Sequence, residues 1–387
     1  MKQKISKRSQ NINRSEIFEM LAQASKYDDV VNFGVGEPHF NTPSEIIDYS
    51  YERASSGYTS YTVNAGDIKV REAIARKLDE ENNIEVDPES EIIITIGGIE
   101  AIFLLLMVLV ESGDEVIFQD PSWVNYEAQI RLMGATPVRV AVKEENYFAL
   151  RAEDIAEKIT DSTSVIMINS PNNPTGGAIK KEELKKIARL AYENDIIMLT
   201  DETYEKICYD IEHFSPGSLD KYRDNIVSVF SFSKAYAMTG WRVGFAAGPA
   251  PIIKEMIKIH DSIGLCTPSI SQAAAHKALQ IEDEVVEKMA AEFKNNRDLL
   301  VEGANSLPGF SSIYPRGTFY SFVNVQDIPK DSLTLARDML DKVQVVTVAG
   351  SSFGQAGEGY LRFSYANSSD RIEEGLERIF HYIKNYI

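Results

Sequence analysis

Short apolar runs, rich in β-branched and aromatic residues, alternate with longer helical patterns along roughly the first 280 residues of this chain. Candidate strands cover residues 92–96, 116–119, 137–142, 165–169, 196–200, 226–232 and 243–247, and candidate helices include residues 99–111, 180–194 and 252–259. Such alternation is typical of β–α units, whose strands lie mostly parallel in one sheet. We therefore predict an α/β fold in which helices sandwich a mostly parallel, seven-stranded sheet.

After about residue 280 the pattern changes. A charged helical stretch over residues 282–300 leads into strand-like pieces at 318–325, 343–348 and 360–365, and a closing helix runs from residue 370 to about residue 386. The 387 residues also exceed the roughly 250–300 at which a single hydrophobic core stops growing. We predict a large domain over residues 45–280 and a smaller α+β domain formed by residues 1–44 and 281–387.

The charge and composition limit the partners of the chain. A formal net charge of −18 disfavours a nucleic-acid or anionic-membrane surface, because clustered lysines and arginines drive such binding. The most apolar stretch, residues 101–110, is shorter than the roughly 20 residues of a membrane span, and the basic N-terminus lacks an apolar signal region. Two cysteines fit a reducing compartment, and the five histidines show no metal-binding spacing. We therefore expect a cytoplasmic protein without a metal.

Residues beyond the strand ends matter because ligands bind at the carboxyl edge of open α/β sheets. Gly97-Gly98 follows the first candidate strand and precedes an apolar helix, whose free N–H groups can bind an anion. The same dipeptide also fits an ordinary turn. Trp123 follows the second strand and can stack on a planar ligand, or can be a core aromatic residue.

Three further strand ends carry polar residues. Asn173 lies in a turn with two prolines and two glycines, which can position its amide toward a ligand or form a plain tight turn. Asp201 follows an apolar strand and needs a cation, such as a protonated cofactor ring, unless it caps a helix. Lys234 is either a surface residue or a buried amine with a lowered pKa that can form a Schiff base. Ser231 and Arg242 flank it and can hold a phosphate.

Several motifs together carry a family resemblance. They are Gly34-Val35-Gly36-Glu37-Pro38 with Thr42-Pro43, Tyr61 with Ala65-Gly66, Asn172-Asn173-Pro174-Thr175-Gly176, Asp201-Glu202-Thr203-Tyr204, Ser231-Phe232-Ser233-Lys234, Ala237-Met238-Thr239-Gly240-Trp241-Arg242-Val243-Gly244 and Leu361-Arg362-Phe363-Ser364-Tyr365-Ala366. Over essentially its whole length the chain resembles the class I/II aminotransferases, which have the fold type I architecture of pyridoxal-phosphate enzymes. It looks closest to the branch of prokaryotic aspartate and archaeal aromatic transaminases.

The resemblance implies pyridoxal 5′-phosphate as the cofactor and assigns roles around its ring. Lys234 would hold the cofactor covalently and, once released by substrate, would move a proton between the substrate Cα and the cofactor. Asp201 would keep the pyridine nitrogen protonated, so that the ring accepts electrons. Tyr204 and Asn173 would bind the phenolic oxygen of the ring, and Trp123 would stack on its face.

The resemblance also assigns the phosphate contacts. Ser231, Arg242 and the backbone N–H groups of Gly98 and Ile99 would hold the phosphate of the cofactor. In the family, the tyrosine that matches Tyr61 reaches this phosphate from the partner subunit. The resemblance therefore implies a homodimer with shared active sites.

For the substrate, the resemblance implies that Arg362 clamps the α-carboxylate, with Asn173 and Trp123 beside it. Gly36 would let its loop close over the amino acid without a side chain in the way. Where related aspartate transaminases have a lysine that reads an acidic side chain, this chain has Ile99. That departure favours neutral or aromatic donors and leaves aspartate open. The expected reaction moves an amino group to a 2-oxo acid, such as 2-oxoglutarate, by a ping-pong mechanism.

Other functions remain open at this stage. A β-lyase or decarboxylase with the same cofactor would share Lys234 and Asp201. Residues 350–354 fit the G-x-S-x-G pattern of serine hydrolases, and Asp370 and His381 follow in a compatible order, but both lie on one helix and the motif precedes a strand. A regulator with an added DNA-binding module is disfavoured by the short segment before residue 43 and by the acidic charge.

Overall fold

The computed structural model describes residues 4–10, 12 and 16–387, which contain three β-sheets and surrounding helices. The strands are β1 (Val31–Asn32), β2 (Ile92–Thr95), β3 (Glu115–Asp120), β4 (Thr136–Ala141), β5 (Thr163–Asn169), β6 (Ile197–Asp201), β7 (Ile226–Ser231), β8 (Gly244–Ala247), β9 (Tyr320–Asn324), β10 (Val345–Val346), β11 (Val348–Ala349) and β12 (Tyr360–Ser364). The α-helices are α1 (Lys7–Gln10), α2 (Glu16–Ala24), α3 (Ser44–Ser55), α4 (Ile68–Asn82), α5 (Gly98–Leu109), α6 (Val124–Met133), α7 (Ala152–Ala156), α8 (Lys181–Glu193), α9 (Phe232–Ala235), α10 (Ala250–Ile263), α11 (Ser269–Ala278), α12 (Asp283–Ser306), α13 (Ser332–Val343) and α14 (Ser369–Tyr386).

The largest sheet has seven strands in the order β2-β8-β7-β6-β5-β3-β4. All neighbouring strands in it are parallel except β8, which is antiparallel to both β2 and β7. The seven strands predicted from the sequence are the seven strands of this sheet. The prediction of a mostly parallel, seven-stranded α/β sheet is therefore confirmed.

Both faces of this sheet are covered by helices. Along β5, Val165 and Met167 pack into a core with residues of α5, α6 and α10, whereas Ile166 and Ile168 pack into a second core with residues of α7 and α8. This division follows from the period of two in a strand, which points successive side chains to opposite faces. Strands buried on both faces are near-continuous apolar runs, and this is why they were recognisable in the sequence.

A three-stranded antiparallel sheet, called the small sheet below, has the order β11-β12-β9, with α12, α13 and α14 packed beside it. The single strand predicted over residues 343–348 is wrong. The chain divides at Thr347, so that β10 pairs with β1 and β11 pairs with β12. A local pattern of apolar residues cannot reveal that two halves of one run pair with different strands. The domain boundaries near residues 45 and 280 stay a prediction.

The described ranges contain neither a membrane-spanning helix nor a metal-binding cluster. No helix there combines the length and apolar character that crossing a membrane requires. In the same ranges, no group of three or more histidine, cysteine, aspartate or glutamate side chains is arranged to hold a metal ion.

Candidate active site

A cavity of about 580 Å³ lies at the carboxyl edge of the seven-stranded sheet, where β3, β5, β6 and β7 end. Eleven of the twelve residues predicted for the site line it: Gly36, Gly98, Ile99, Trp123, Asn173, Asp201, Tyr204, Ser231, Lys234, Arg242 and Arg362. The twelfth, Tyr61, lies outside the cavity and is 83% exposed. The cavity brings together residues that are up to 326 positions apart in the sequence, from Gly36 to Arg362, two residues that only the family resemblance had assigned to the site.

Lys234 lies on the short helix α9 directly after β7, and its side chain forms part of the cavity wall. Its Nζ donates a hydrogen bond of 2.5 Å to the carbonyl oxygen of Gly36. Burial lowers the pKa of Lys234 to about 8; the carboxylate of Glu37 opposes this shift, and the positive charge of Arg362 adds to it. An amine with such a pKa is uncharged in an appreciable fraction of molecules near neutral pH, as a nucleophilic lysine requires.

Asp201 is the last residue of β6 and is only 5% exposed. Its Oδ2 accepts a hydrogen bond of 2.6 Å from the hydroxyl of Tyr126, and its Oδ1 accepts one of 3.0 Å from the backbone N–H of Thr203. Burial raises the pKa of this carboxyl, while both hydrogen bonds oppose that rise. Among the described residues no cation forms an ion pair with Asp201, so a cationic ligand group in the cavity would stabilise its charge.

An anion site is formed by the start of α5 and two side chains. Gly97 precedes α5 with φ of +76°, and a Cβ atom there would lie 2.7 Å from Nη2 of Arg242. The helix then begins at Gly98, and the first N–H groups of a helix lack intrahelical acceptors. Ser231 and the exposed guanidinium of Arg242 line the same part of the cavity. Free N–H groups, a hydroxyl and an arginine together suit a phosphate.

Arg362 reaches the cavity from β12 of the small sheet and is 3% exposed. Its Nη2 donates to the carbonyl of Gly34 at 2.7 Å, and its Nη1 donates to Oδ1 of Asn173 at 3.0 Å. The guanidinium lies 4.4 Å from the ring centre of Tyr320 and 4.9 Å from that of Phe353. Its buried Nε has no hydrogen-bond partner within the described ranges. An arginine held by neutral groups alone suits a carboxylate ligand.

Aromatic side chains complete the wall. Tyr204 is buried, and its hydroxyl lies 3.3 Å from that of Tyr320. Burial raises the pKa of Tyr204 well above its ordinary value, so the phenol keeps its proton. Trp123 immediately precedes α6 and contacts Tyr126 edge-on, with ring centres 5.4 Å apart.

Residues 28–379 match the family model described as aminotransferase class I and II. The chain belongs to this family.

Individual relatives agree with that assignment. The chain is 40% identical over 371 residues to an aspartate aminotransferase of Pyrococcus abyssi, covering 95% of both proteins. It is 36% identical to aromatic-amino-acid aminotransferase 2 of Thermococcus litoralis, covering 98% of both. Among solved structures, the aspartate aminotransferase of Thermus thermophilus with maleate superposes with a TM-score of 0.93 at 36% identity, with coverage of 97% of this chain and 99% of that one. The aromatic aminotransferase of Pyrococcus horikoshii gives 0.90 at 38% identity, with coverage of 95% and 98%.

The protein is therefore an aminotransferase of fold type I, which uses pyridoxal phosphate to move an amino group between an amino acid and a 2-oxo acid. The cavity fits this cofactor. Lys234 offers a buried amine to an aldehyde, and Asp201 offers a buried carboxylate to a protonated ring nitrogen. The turn at Gly97 and Gly98, with Arg242, offers N–H donors and a positive charge to a phosphate.

The serine-hydrolase alternative does not agree with this aminotransferase structure. Residues Gly350–Phe353 form a 3₁₀ helix after β11, not the strand-to-α-helix turn of a nucleophile elbow. The hydroxyl of Ser352 donates to Oε2 of Glu16 at 2.6 Å, whereas Asp370 and His381 both lie on α14. The three side chains thus form no catalytic relay.

Sequence reasoning missed two aromatic residues of the aminotransferase cavity, Tyr126 and Tyr320. Tyr126 carried a weak signal, because it lies three positions after Trp123 and so shares one face of a helical turn with it. Tyr320 carried none, since its contacts with Arg362 and Tyr204 join residues that are distant in the sequence.

Proposed function

We propose that the preferred amino donors are neutral or aromatic L-amino acids and that 2-oxoglutarate is an acceptor, by a ping-pong reaction. The observation that carries this proposal is the apolar character of the cavity wall at Ile99, the position where related aspartate transaminases have a lysine. Leu21 and Val35 line the same cavity. Apolar walls favour apolar side chains, because burying an unpaired carboxylate is costly.

Each residue of the cavity then has a role in the reaction. When bound, pyridoxal phosphate supplies an electron-accepting ring that stabilises negative charge at the substrate Cα. Lys234 would hold the cofactor through Nζ, condensing with its aldehyde with loss of water, and as a free, uncharged amine it would take the proton from the substrate Cα. Asp201 holds the proton on the ring nitrogen. Its hydrogen bonds from Tyr126 and Thr203 support that role, since they favour its carboxylate form.

Other side chains hold the ligands in place. Arg362 binds the α-carboxylate, and its hydrogen bond to Asn173 links that clamp to the residue proposed to bind the phenolic oxygen with Tyr204. Trp123 covers the ring face. Gly36 leaves room for the substrate, because a Cβ atom there would lie 2.9 Å from the hydroxyl of Tyr320.

We further propose a homodimer in the cytoplasm. Tyr61 and Val63 lie on one segment and are 83% and 60% exposed. Exposed aromatic and β-branched side chains close together suit a protein contact. In the proposed dimer, Tyr61 reaches the cofactor phosphate of the partner, where Arg242 is exposed in the single chain. Two cysteines that form no disulfide support the cytoplasmic location.

A half-reaction screen tests the donor proposal. Cofactor-loaded enzyme is mixed with one amino acid at a time, and the loss of the lysine-bound cofactor absorbance is recorded. We expect phenylalanine, tyrosine and leucine to react faster than aspartate, and Ile99→Lys to raise the rate with aspartate about tenfold, since a charged hydrogen bond contributes about 1.5–3 kcal/mol. Faster reaction of the unaltered enzyme with aspartate than with all three apolar donors would contradict the proposal. Identification of the product separates transamination from side-chain elimination and decarboxylation.

A further inference from the structure

Tyr126 donates a hydrogen bond from its hydroxyl to Oδ2 of Asp201 at 2.6 Å. It lies on α6, three residues after Trp123, and is 1% exposed. Its ring packs edge-on against Trp123, with an interplanar angle of 86°. One turn of α6 therefore places an aromatic ring in the cavity wall and a hydroxyl on the buried carboxylate.

The direction of this hydrogen bond follows from burial. Burial and the neighbouring carboxylate of Asp201 raise the pKa of Tyr126 well above its ordinary value, so its hydroxyl keeps a proton and donates it. This hydrogen bond favours the unprotonated form of its acceptor, Oδ2 of Asp201. Burial, and to a smaller extent the neighbouring Glu202, raise the pKa of Asp201, and the hydrogen bonds from Tyr126 and Thr203 oppose that rise.

We propose that Tyr126 is a positioning residue of the aminotransferase reaction: its hydroxyl fixes Asp201 as an oriented carboxylate opposite the ring nitrogen of the cofactor. This inference rests on the proposed role of Asp201. Without the hydroxyl, Asp201 keeps the hydrogen bonds that Thr203 makes to it but loses the donor that fixes Oδ2, and the protonated ring nitrogen loses stabilisation. The ring then accepts electrons less readily, and the proton on the substrate Cα becomes harder to remove.

Tyr126→Phe isolates this contact, because it removes the hydroxyl and keeps the ring that packs on Trp123. We expect kcat to fall about tenfold with little change in KM, as for the loss of one hydrogen bond to a charged group. The midpoint of the pH titration of the bound cofactor's absorbance should rise, since a less positive ring holds the proton of its lysine linkage more tightly. The fall in kcat and the rise of the titration midpoint would together indicate a change in the electronic state of the cofactor ring. A loss of packing around Trp123 alone would not shift the midpoint.

Cofactor binding gives a second readout that does not depend on turnover. The dissociation constant of pyridoxal phosphate is compared with that of an analogue whose ring nitrogen is replaced by carbon. We expect Tyr126→Phe to weaken binding of pyridoxal phosphate and to leave binding of the analogue unchanged. Equal weakening for both compounds, or an unchanged titration midpoint, would show that Tyr126 only packs and would overturn the proposal.

Two further variants distinguish loss of the contact with Asp201 from loss of any buried phenol hydrogen bond, and test the role of Asp201 itself. Tyr209→Phe removes a buried phenol hydrogen bond of the same 2.6 Å length, to the carbonyl of Thr318 outside the cavity, and should leave the midpoint unchanged. Asp201→Asn tests the role on which the inference rests: if it too binds both compounds as the unaltered protein does, the proposed role of Asp201 fails, and this inference with it. If Asp201→Asn loses the preference for pyridoxal phosphate, adding Tyr126→Phe to it should have no further effect, and additive losses would overturn the proposal.

Discussion

Lys234 and Arg362 are two cations in one cavity with different capacities to lose a proton. Burial lowers the pKa of both, but an arginine stays charged in proteins whereas a lysine does not. Lys234 with a pKa of about 8 can act as a nucleophile and as a base. Arg362 keeps the permanent charge that a carboxylate needs. The difference comes from side-chain chemistry, since both side chains are enclosed by protein.

The pH dependence of cofactor attachment follows from the pKa of Lys234. The folded protein lowers this pKa from 10.5 to about 8, so the uncharged amine increases up to about pH 8 and then stays constant. We expect the rate of attachment of pyridoxal phosphate to cofactor-free protein to rise about tenfold per pH unit below that value and to level off above it. Stopped-flow absorbance measures this rate. A rate that keeps rising to pH 10 would indicate an ordinary lysine.

Much of the site could be predicted from single residues and their neighbours. Asp201 and Lys234 follow runs of apolar residues, and charged groups at such positions need a chemical reason. Tyr320 could not be found in this way, and Tyr126 carried only the weak signal of its spacing from Trp123, because a buried tyrosine in the sequence resembles any core aromatic residue. Their hydroxyl contacts, to Asp201 and Tyr204, depend on how distant elements pack.

At the level of elements, the turn between β2 and α5 is the most constrained part of the anion site. Gly97 has φ of +76°, which favours glycine, and the space beside it is filled by the guanidinium of Arg242. A side chain here would therefore both strain the backbone and displace the arginine. The turn was recognised in the sequence from its two glycines, although its contact with Arg242 was not.

Gly97→Ala should weaken binding of pyridoxal phosphate about tenfold, because the added Cβ displaces Arg242 and the strain amounts to about 1–2 kcal/mol. Equilibrium dialysis gives the dissociation constant. Gly113→Ala is the matched control: Gly113 has φ of +108°, but nothing lies within 4 Å of the added Cβ. Equal cofactor affinities in the two variants would contradict the importance of the contact with Arg242.

Elements buried on both faces were the easiest to predict. Six of the seven strands of the large sheet are largely buried, whereas the edge strand β4 is mostly exposed or half-buried, and the bounds of all seven agree with the prediction to within two residues. The sequence analysis predicted α5, α8, α10, α12 and α14, and the other helices of the described ranges, namely α1, α2, α3, α4, α6, α7, α9, α11 and α13, were not predicted. Several of them, such as α4 with its lysines, arginines and glutamates, expose much of their surface and have a weaker apolar pattern.

At the level of the whole molecule, the cavity joins two sheets. Asn173 follows β5 of the large sheet, Arg362 lies on β12 of the small one, and their hydrogen bond of 3.0 Å connects the two. A substrate carboxylate bound to Arg362 would therefore contact both parts of the molecule. The sequence placed the two residues in one site only through the family resemblance, because no local pattern relates positions 173 and 362.

Arg362→Ala should raise KM for every amino donor by a similar factor, about 100-fold, because all donors share the α-carboxylate and a bidentate charged contact contributes about 3 kcal/mol. Steady-state kinetics with an aromatic, an aliphatic and an acidic donor measure the effect. Arg297→Lys serves as the control, since Arg297 is also 3% exposed but lies outside the cavity and pairs with Asp210. An increase confined to one donor would contradict the assignment.

The covalent attachment of the cofactor to Lys234 is the claim on which the account depends, and one measurement tests it directly. The holoenzyme is reduced with borohydride, digested, and its peptides are sequenced by mass spectrometry. We expect a single lysine to carry the reduced pyridoxyl group, namely Lys234, with no labelled peptide in the Lys234→Ala variant. A label on any other lysine, or no label after reconstitution with pyridoxal phosphate, would contradict the account.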